Sequence, residues 1–483
     1  MLSKTLHLKT KINPLILVLG YAFFFQSNLA FADDSIWYNS DDPLKTDAIT
    51  PPAIPDGYLE STACIASNYD NVLSLADVAE AALCNNPQTR EAYASARVQA
   101  AQVGIAKSAY LPSVNDSASG NLNVAFPEQF SRNNPYSNLS NNIIATYLLY
   151  DFGNRDANLE NARQLLQAAS ATQSSVVQNV LLSAIQAYYQ VQAGIAALDA
   201  ARESERASEE SYKAAEARYK AGVATPADKL QAQTLFAQNT LNRITAEGAL
   251  KTAYGTLANV MGLVANQTLK LAASTTIQPL QNLDQDINSL IEVARIRRPD
   301  LIASEAQLKA AQANIEASRA AAKPTVSVAV SNNFQDGHLS LSNNTSLGIT
   351  LSIPIFSGYG PTYAIRSAEA NAEVKSDQRD QLRLQISLDV WHAYQSLRTA
   401  NESIRAAAVL VSSAEESSRV ALGRYKAGVG NIIDSINAQS ALASARQQQV
   451  QANFNWNIAR ATLAQSIGGL DNAMIHSLPE GKP

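Results

Sequence analysis

The hexapeptide RYKAGV at residues 218–223 occurs a second time, unchanged, at residues 424–429. Residue 218 thus matches residue 424, a spacing of 206 that also pairs Asp228 with Asp434. Self-similarity at a fixed spacing is the signature of a repeated structural unit. We therefore predict one duplicated unit, in two copies of about 200 residues each, rather than a set of unrelated domains.

Long segments without proline precede both hexapeptides. Residues 154–221 and 362–427 contain no proline and one glycine each. Apolar residues from Val180 to Leu198 follow a 4-3-4-4-3 spacing, which is typical of a coiled-coil seam. Each segment predicts a single helix of about 70 residues, or about 100 Å at 1.5 Å per residue.

The glycines of the hexapeptides mark the places where these helices must reverse. Glycine just after the last helical turn adopts the left-handed conformation that closes many helices, and we expect it at Gly222 and Gly428. Pro226 suits the first turn of a returning helix. The sequence therefore predicts two long helical hairpins.

Shorter elements precede each hairpin. Four segments alternate or are rich in β-branched and aromatic residues, and they predict two strands per copy: 121–126, 143–150, 325–330 and 346–353. The Asn/Gly/Ser-rich segments 131–141 and 331–345 are expected to be hairpin loops. Four further helices are expected at 73–83, 88–109, 287–296 and 300–322, with breaks at prolines.

Composition excludes several classes of protein. The 483 residues carry a formal net charge of −5 and only 16% charged residues, which argues against a nucleic-acid-binding protein. Two cysteines and four scattered histidines make a metal cluster improbable. Nucleotide-binding loops and nucleophile motifs are lacking, so we expect neither a cofactor nor an enzyme.

The N-terminus is predicted to be a secretory signal peptide over residues 1–32. Lys4, Lys9 and Lys11 precede the apolar run 15–25, and Ala30-Phe31-Ala32 provides small residues for cleavage. No later stretch is apolar for the length that a spanning helix requires. If the exported chain crosses a membrane, it must do so with strands.

The strands predicted for one chain cannot form a closed barrel. Four strands are too few for a barrel, which needs about eight, and a sheet with open edges is not tolerated in lipid. Three chains would supply twelve strands. The residues therefore predict an oligomer in which several chains pool their strands into one membrane β-barrel, with the long helices forming a thin wall around water.

The repeated RYKAGV, followed by Asp and Ala-Gln, resembles the TolC-like family of outer membrane factors over about residues 70–470. The resemblance implies a fold that is mainly α with a membrane β-barrel: a homotrimeric twelve-stranded barrel in the outer membrane, four strands per chain, continued by a long α-helical coiled-coil barrel. This assembly would extend into the periplasm as an export duct. The resemblance also implies two partners, a periplasmic adaptor protein and an inner-membrane transporter of the ABC or proton-driven kind. Nucleic acid is not an expected partner.

The resemblance also assigns candidate site residues. Gly222, Asp228 and Gly428 would lie at the periplasmic tip, where the duct closes. Asp434 and Asn437 match two pore-facing acidic positions of a well-known relative, so the channel constriction would hold one ring of acids. Capping of a helix start is the alternative for Asp434, and the more favoured role for Asp228. The family's closing network of Arg and Tyr has no clear counterpart in the sequence.

Cys64 and Cys84 can form a disulfide in an oxidising compartment, with two free thiols as the alternative. The segment LCNNP at 83–87, with a cysteine upstream, resembles the CyaE-like branch that serves type I protein secretion. The predicted domains are the signal peptide, an extended arm, two repeats and a tail without ordered structure: 1–32, 33–70, 71–270, 271–470 and 471–483.

Two cargoes remain open at this point, a large protein toxin or small toxic molecules. The alternative from another class is a structural or adhesive coiled-coil protein of the cell surface. Strict strand alternation and paired glycine turns favour the duct.

Overall fold

The structure is a computed structural model that describes residues 42–58, 71–124, 136–272, 286–337 and 340–477. The predicted signal peptide and Cys64 lie outside these ranges. Within the described part of the predicted arm, a 3₁₀ turn forms at Asp47–Ile49, and Gln173 Nε2 donates to the carbonyls of Pro52 at 2.8 Å and Ala53 at 3.0 Å.

Helices and strands follow one order in both halves of the described chain. The helices are α1 (Leu75–Asn85), α2 (Pro87–Ser108), α3 (Asn154–Lys220), α4 (Pro226–Val260), α5 (Ile287–Arg297), α6 (Pro299–Ala321), α7 (Gly360–Lys426), α8 (Ile432–Ser466) and α9 (Asn472–Ser477). The strands are β1 (Val72–Leu73), β2 (Ser113–Asn123), β3 (Tyr136–Tyr150), β4 (Lys270–Leu271), β5 (Thr325–Gly337) and β6 (Ser340–Ser352).

The long helices have the same lengths in the two halves. Helices α3 and α7 have 67 residues each, and α4 and α8 have 35 each. The predicted breaks at Pro87 and Pro299 fall between α1 and α2 and between α5 and α6. Ser74 caps the start of α1 and forms a capping box with Asp77. The tail predicted to lack order contains α9, so that expectation was wrong for residues 472–477.

A four-stranded antiparallel sheet has the order β2-β3-β5-β6. Its strands extend beyond the predicted segments, because residues 331–337 and 340–345, expected to be loops, belong to β5 and β6. Strand β2 occupies 113–123 rather than 121–126. Serine and asparagine remain in the ladder because facing hydroxyls bond each other across strands, as Ser331 and Ser346 do at 2.8 Å.

The two faces of this sheet differ in polarity, as the alternation predicts. Directly paired residues share a face, so Val328 lies beside Tyr147 and Ile349 on an apolar face. The opposite face carries the hydroxyl pairs, including Ser119 with Ser140 at 2.7 Å. Ile349 is 73% exposed, so the apolar face is uncovered in the single chain. Among the described residues, no helix combines the length and apolarity needed to cross a membrane.

The chain divides into two compact units. One contains the four-stranded sheet and the helix ends beside it, within Met1–Thr50, Ala100–Gln164 and Lys309–Glu373. The other contains the remaining helices. Its largest apolar cluster combines residues of α1, α3 and α4, such as Leu83, Ile185 and Leu257, all 1% exposed or less.

In each half of the helical unit, one glycine packs against the backbone at the break between the first two helices. Gly262 has a φ of +72°, and a Cβ there would lie 2.5 Å from the carbonyl oxygen of Asn85. Gly468 has a φ of +71°, and its Cβ would lie 2.8 Å from the carbonyl carbon of Arg297. Both positions therefore require glycine for backbone conformation and for space.

Gly262→Ala is expected to destabilise the protein because it combines a left-handed φ with a clash against backbone. The backbone strain alone corresponds to roughly 1–3 kcal/mol, and a fall in melting temperature measures it. Gly248→Ala is the matched control, since Gly248 lies in α4 with open space around its Cα. It should leave the melting temperature unchanged or slightly raised. Equal melting temperatures for the two variants would contradict this account.

Candidate functional site at the two helical turns

The two long hairpins turn through the same backbone motif. After α3, the amide of Gly222 donates to Tyr219 O at 2.9 Å and that of Val223 donates to Arg218 O at 3.0 Å. After α7, the matching amides of Gly428 and Val429 make these bonds at 3.0 and 3.1 Å. The glycines have φ of +73° and +78°. This glycine-closed helix end confirms the predicted left-handed conformation.

The helices that leave the two turns are capped differently. Thr225 and Asp228 form a capping box, in which the Thr225 amide donates to the Asp228 carboxylate at 3.0 Å, and Pro226 opens α4. At the second turn Asn431 Oδ1 accepts from the Ile433 amide at 3.1 Å. Asn431, the match of Thr225 at the spacing of 206, thus caps α8, and Asp434 does not take the part that Asp228 has in the capping box.

Asp434 and Asn437 lie three residues apart on an exposed face of α8. Within the part of the chain that the structure describes, the Asp434 carboxylate has neither a hydrogen bond nor an ion pair. Both residues line a surface cavity of about 590 Å³ between α7 and α8, together with Glu416 and Arg424 of α7. The carboxylate is thus exposed at the surface of the single chain.

One contact joins the two turns to each other. Arg218 Nη1 donates to the carbonyl oxygen of Tyr425 at 3.1 Å, and the guanidinium carbon lies 5.0 Å from the Tyr425 ring centroid. Tyr425 is 4% exposed, and burial raises the pKa of its hydroxyl. Sequence reasoning found no Arg–Tyr pair, because these residues are 207 positions apart and no local pattern relates them.

The residues that match this pair at the spacing of 206, called repeat-mates below, make different contacts. Tyr219, the mate of Tyr425, is 41% exposed, with Lys229 Nζ 5.9 Å from its ring centroid. Lys229 also bonds Glu216 across the first turn at 3.1 Å, and this bond lowers the pKa of Glu216. The mate of Arg218 is Arg424, which is exposed. Only one of the two Arg–Tyr combinations in the repeat therefore bridges the turns.

The interface that contains the bridge is polar. Gln439 Nε2 of α8 donates to Ser211 Oγ of α3 at 2.7 Å, and both residues are buried. Arg218 Nε, the Tyr425 hydroxyl and Ser435 Oγ are buried among the described residues without a partner. Buried polar atoms without partners cost free energy, so contact at this end is weaker than in the apolar core of the same unit.

Cys84 lies near the end of α1. Since Cys64 is outside the described residues, its pairing with Cys84 stays a prediction. Among the described residues, no group of three or more His, Cys, Asp or Glu side chains could hold a metal ion.

Comparison with known proteins identifies the class. The model of the outer membrane efflux protein family matches residues 78–263 and 290–469. The chain belongs to this family. It is accordingly an exit duct of the outer membrane that extends into the periplasm, and it is not an enzyme.

Individual relatives cover most of the chain. Protein CyaE of Bordetella pertussis is 30% identical over 415 residues, which are 84% of this chain and 86% of the relative. The outer membrane protein TolC of Escherichia coli is 21% identical over 84% of each chain. The toluene efflux pump outer membrane protein TtgC of Pseudomonas putida is 25% identical over 82% of this chain and 83% of its own.

Solved structures share the fold. A crystal structure of CusC superimposes with a TM-score of 0.74 and 22% identity, over 87% of this chain and 98% of that chain. The open state of the MtrE outer membrane channel of Neisseria gonorrhoeae gives a TM-score of 0.71 at 21% identity, over 82% and 89%.

Proposed function

We propose that three copies of this chain form one duct, with a twelve-stranded barrel in the outer membrane and a helical barrel in the periplasm. The observation that carries this proposal is the open sheet. In the described sheet β2 and β6 each have a neighbour on one side only, and lipid does not tolerate unpaired backbone groups. Strands β2 and β6 run in opposite directions, so β6 of one copy can pair antiparallel with β2 of the next.

The two faces of the sheet fit this arrangement. The apolar face with Val328 and Ile349 suits contact with lipid, and the serine-lined face suits a wet lumen. Strands of 11 to 15 residues are long enough for a tilted transmembrane strand, which requires roughly 9–11. Helices α3 and α7, at 67 residues each, would extend about 100 Å. That length brings the turns within reach of a periplasmic adaptor and an inner-membrane transporter.

We infer that the cargo is a large protein, such as a toxin, exported through a type I system with an ABC transporter. The inference is supported by the similarity to Protein CyaE at 30% identity and by the LCNNP segment noted in the sequence. Small-molecule efflux is the second candidate, supported by the similarity to a toluene efflux pump protein at 25% identity.

Deletion of the gene is expected to remove one or a few large proteins from the culture medium, since no other exit for them would remain. Quantitative proteomics of the medium from wild-type, deleted and complemented cells checks this result. An unchanged protein profile, together with increased sensitivity to drugs or solvents, would instead establish small-molecule efflux.

The Arg218–Tyr425 contact is proposed to hold the two turns together and to keep the periplasmic end closed. Charged hydrogen bonds contribute roughly 1.5–3 kcal/mol, and a cation–π contact adds about 0.5–1 kcal/mol. Both are small enough for a docking partner to replace.

Arg218→Gln should therefore raise single-channel conductance in planar bilayers, because the turns can separate more often. Arg206→Gln serves as control, because it removes a cation from α3 whose side chain is 70% exposed, and it should conduct like the wild type. Wild-type conductance from Arg218→Gln would show that the contact does not close the duct.

The single acid of the proposed constriction can be tested in the same bilayers. Asp434→Asn should move the reversal potential in a salt gradient towards zero, because three carboxylates around the pore axis are lost. Asn437→Asp adds three carboxylates and should strengthen block by trivalent cations.

Asp228→Asn is the matched control for these two variants, since Asp228 caps α4 rather than facing solute. It is expected to weaken the start of α4 without a change in ion selectivity. A selectivity that depends on Asp228 and not on Asp434 would reverse the assignment of the two repeat-mates.

A further inference from the structure

Large apolar side chains are concentrated at one end of the four-stranded sheet. The register pairs Tyr150 of β3 with Val326 of β5, and Thr325 of β5 with Ser352 of β6. The segments that leave these strands therefore lie at the same end of the sheet. They carry exposed apolar residues, namely Phe152, Ile355, Phe356, Tyr359 and Tyr363, of which Ile355 is 94% exposed.

The aromatic rings at this end are held in place by the backbone. Phe152 and Tyr359 have φ of +56° and +62°, a left-handed conformation that bulky residues rarely adopt. Each ring packs edge-to-face on a neighbour, Phe152 on Tyr150 at 4.7 Å and Tyr359 on Phe356 at 5.6 Å between centroids. The left-handed conformation costs roughly 1–3 kcal/mol for each of these two residues, and both of their rings are exposed.

Two cations accompany these rings. Lys323 Nζ lies 6.0 Å from the centroid of Phe152, and the guanidinium carbon of Arg366 lies 5.8 Å from that of Tyr363. Both cations are exposed, and within the described residues neither side chain has a hydrogen bond or an ion pair. Arg319 of the same unit, by contrast, is paired with Glu316 and Glu369.

We propose that this rim, defined by Phe152, Lys323, Tyr363 and Arg366, binds the phosphate groups of anionic phospholipids in the periplasmic leaflet. The proposal rests on the membrane orientation given under the proposed function. The Tyr363 ring carries a hydroxyl, and such a ring suits the boundary between acyl chains and headgroups. Unpaired cations beside them match the negative charge of phosphate, and this complementarity identifies the occupant as anionic lipid rather than an apolar protein surface.

The rim is continuous with the apolar face of the sheet. Leu351 and Ile353 lead directly to Ile355, and all three are exposed. An acyl chain lying on that face would place its headgroup beside the cations. A cation near an anionic membrane surface contributes about 1 kcal/mol, which corresponds to about fivefold in affinity for each of the two.

Native mass spectrometry of the purified full-length protein in detergent tests the proposal, with phosphatidylglycerol and phosphatidylcholine as probes. The wild type should retain phosphatidylglycerol at least about fivefold better than phosphatidylcholine. The double variant Lys323→Gln/Arg366→Gln should lose that preference. The control Lys309→Gln/Arg398→Gln removes two exposed cations elsewhere on the helices and should keep it.

Equal retention of both lipids by the wild type, or an unchanged preference in the Lys323/Arg366 variant, would overturn the proposal. Equal loss in the control variant would also overturn it, since net charge rather than the rim would then govern binding. Trimer content and outer-membrane recovery are measured on the same samples. Failure of those two measurements would count against the proposed duct itself, whereas intact trimers without lipid preference would count against the rim alone.

Discussion

Unpaired backbone hydrogen-bonding groups on β2 and β6 are the constraint on which the proposed architecture depends. A sheet of four strands satisfies its inner ladders but leaves an N–H and C=O row at each edge. Lipid offers no water to satisfy those rows. The proposed assembly with further copies would resolve this conflict and would bring the long hairpins together around one axis.

The two halves of the described chain share one order of elements, and they differ in a few side chains. Both turns use the same glycine-closed helix end. Asp228 is committed to a capping box, while Asn431 caps the second hairpin and leaves Asp434 unbonded. Arg218 bridges the turns, whereas its mate Arg424 is exposed. A symmetric scaffold thus carries asymmetric chemistry at the end where solute and partners are proposed to meet.

Local patterns in the sequence predict most of the fold. Pro87 and Pro299, the proline-free stretches and Gly222 and Gly428 place the helices and turns within a residue or two. The strands were underestimated because their serine and asparagine resemble loop residues until a facing hydroxyl satisfies them. The Arg218–Tyr425 bridge could not be predicted, since it depends on how two hairpins pack and not on any periodicity within either.

Each half of the chain contributes an even number of strands, and this number bears on how such a chain can arise. Each repeat contributes two antiparallel strands, so the first and last strands of the sheet run in opposite directions whether one repeat or two are joined. A ring closed from these sheets is antiparallel throughout for any number of copies. Half of this chain, with one strand pair and one hairpin, meets the same condition. Six separate half-length chains could therefore build the same ring of strands as the proposed trimer.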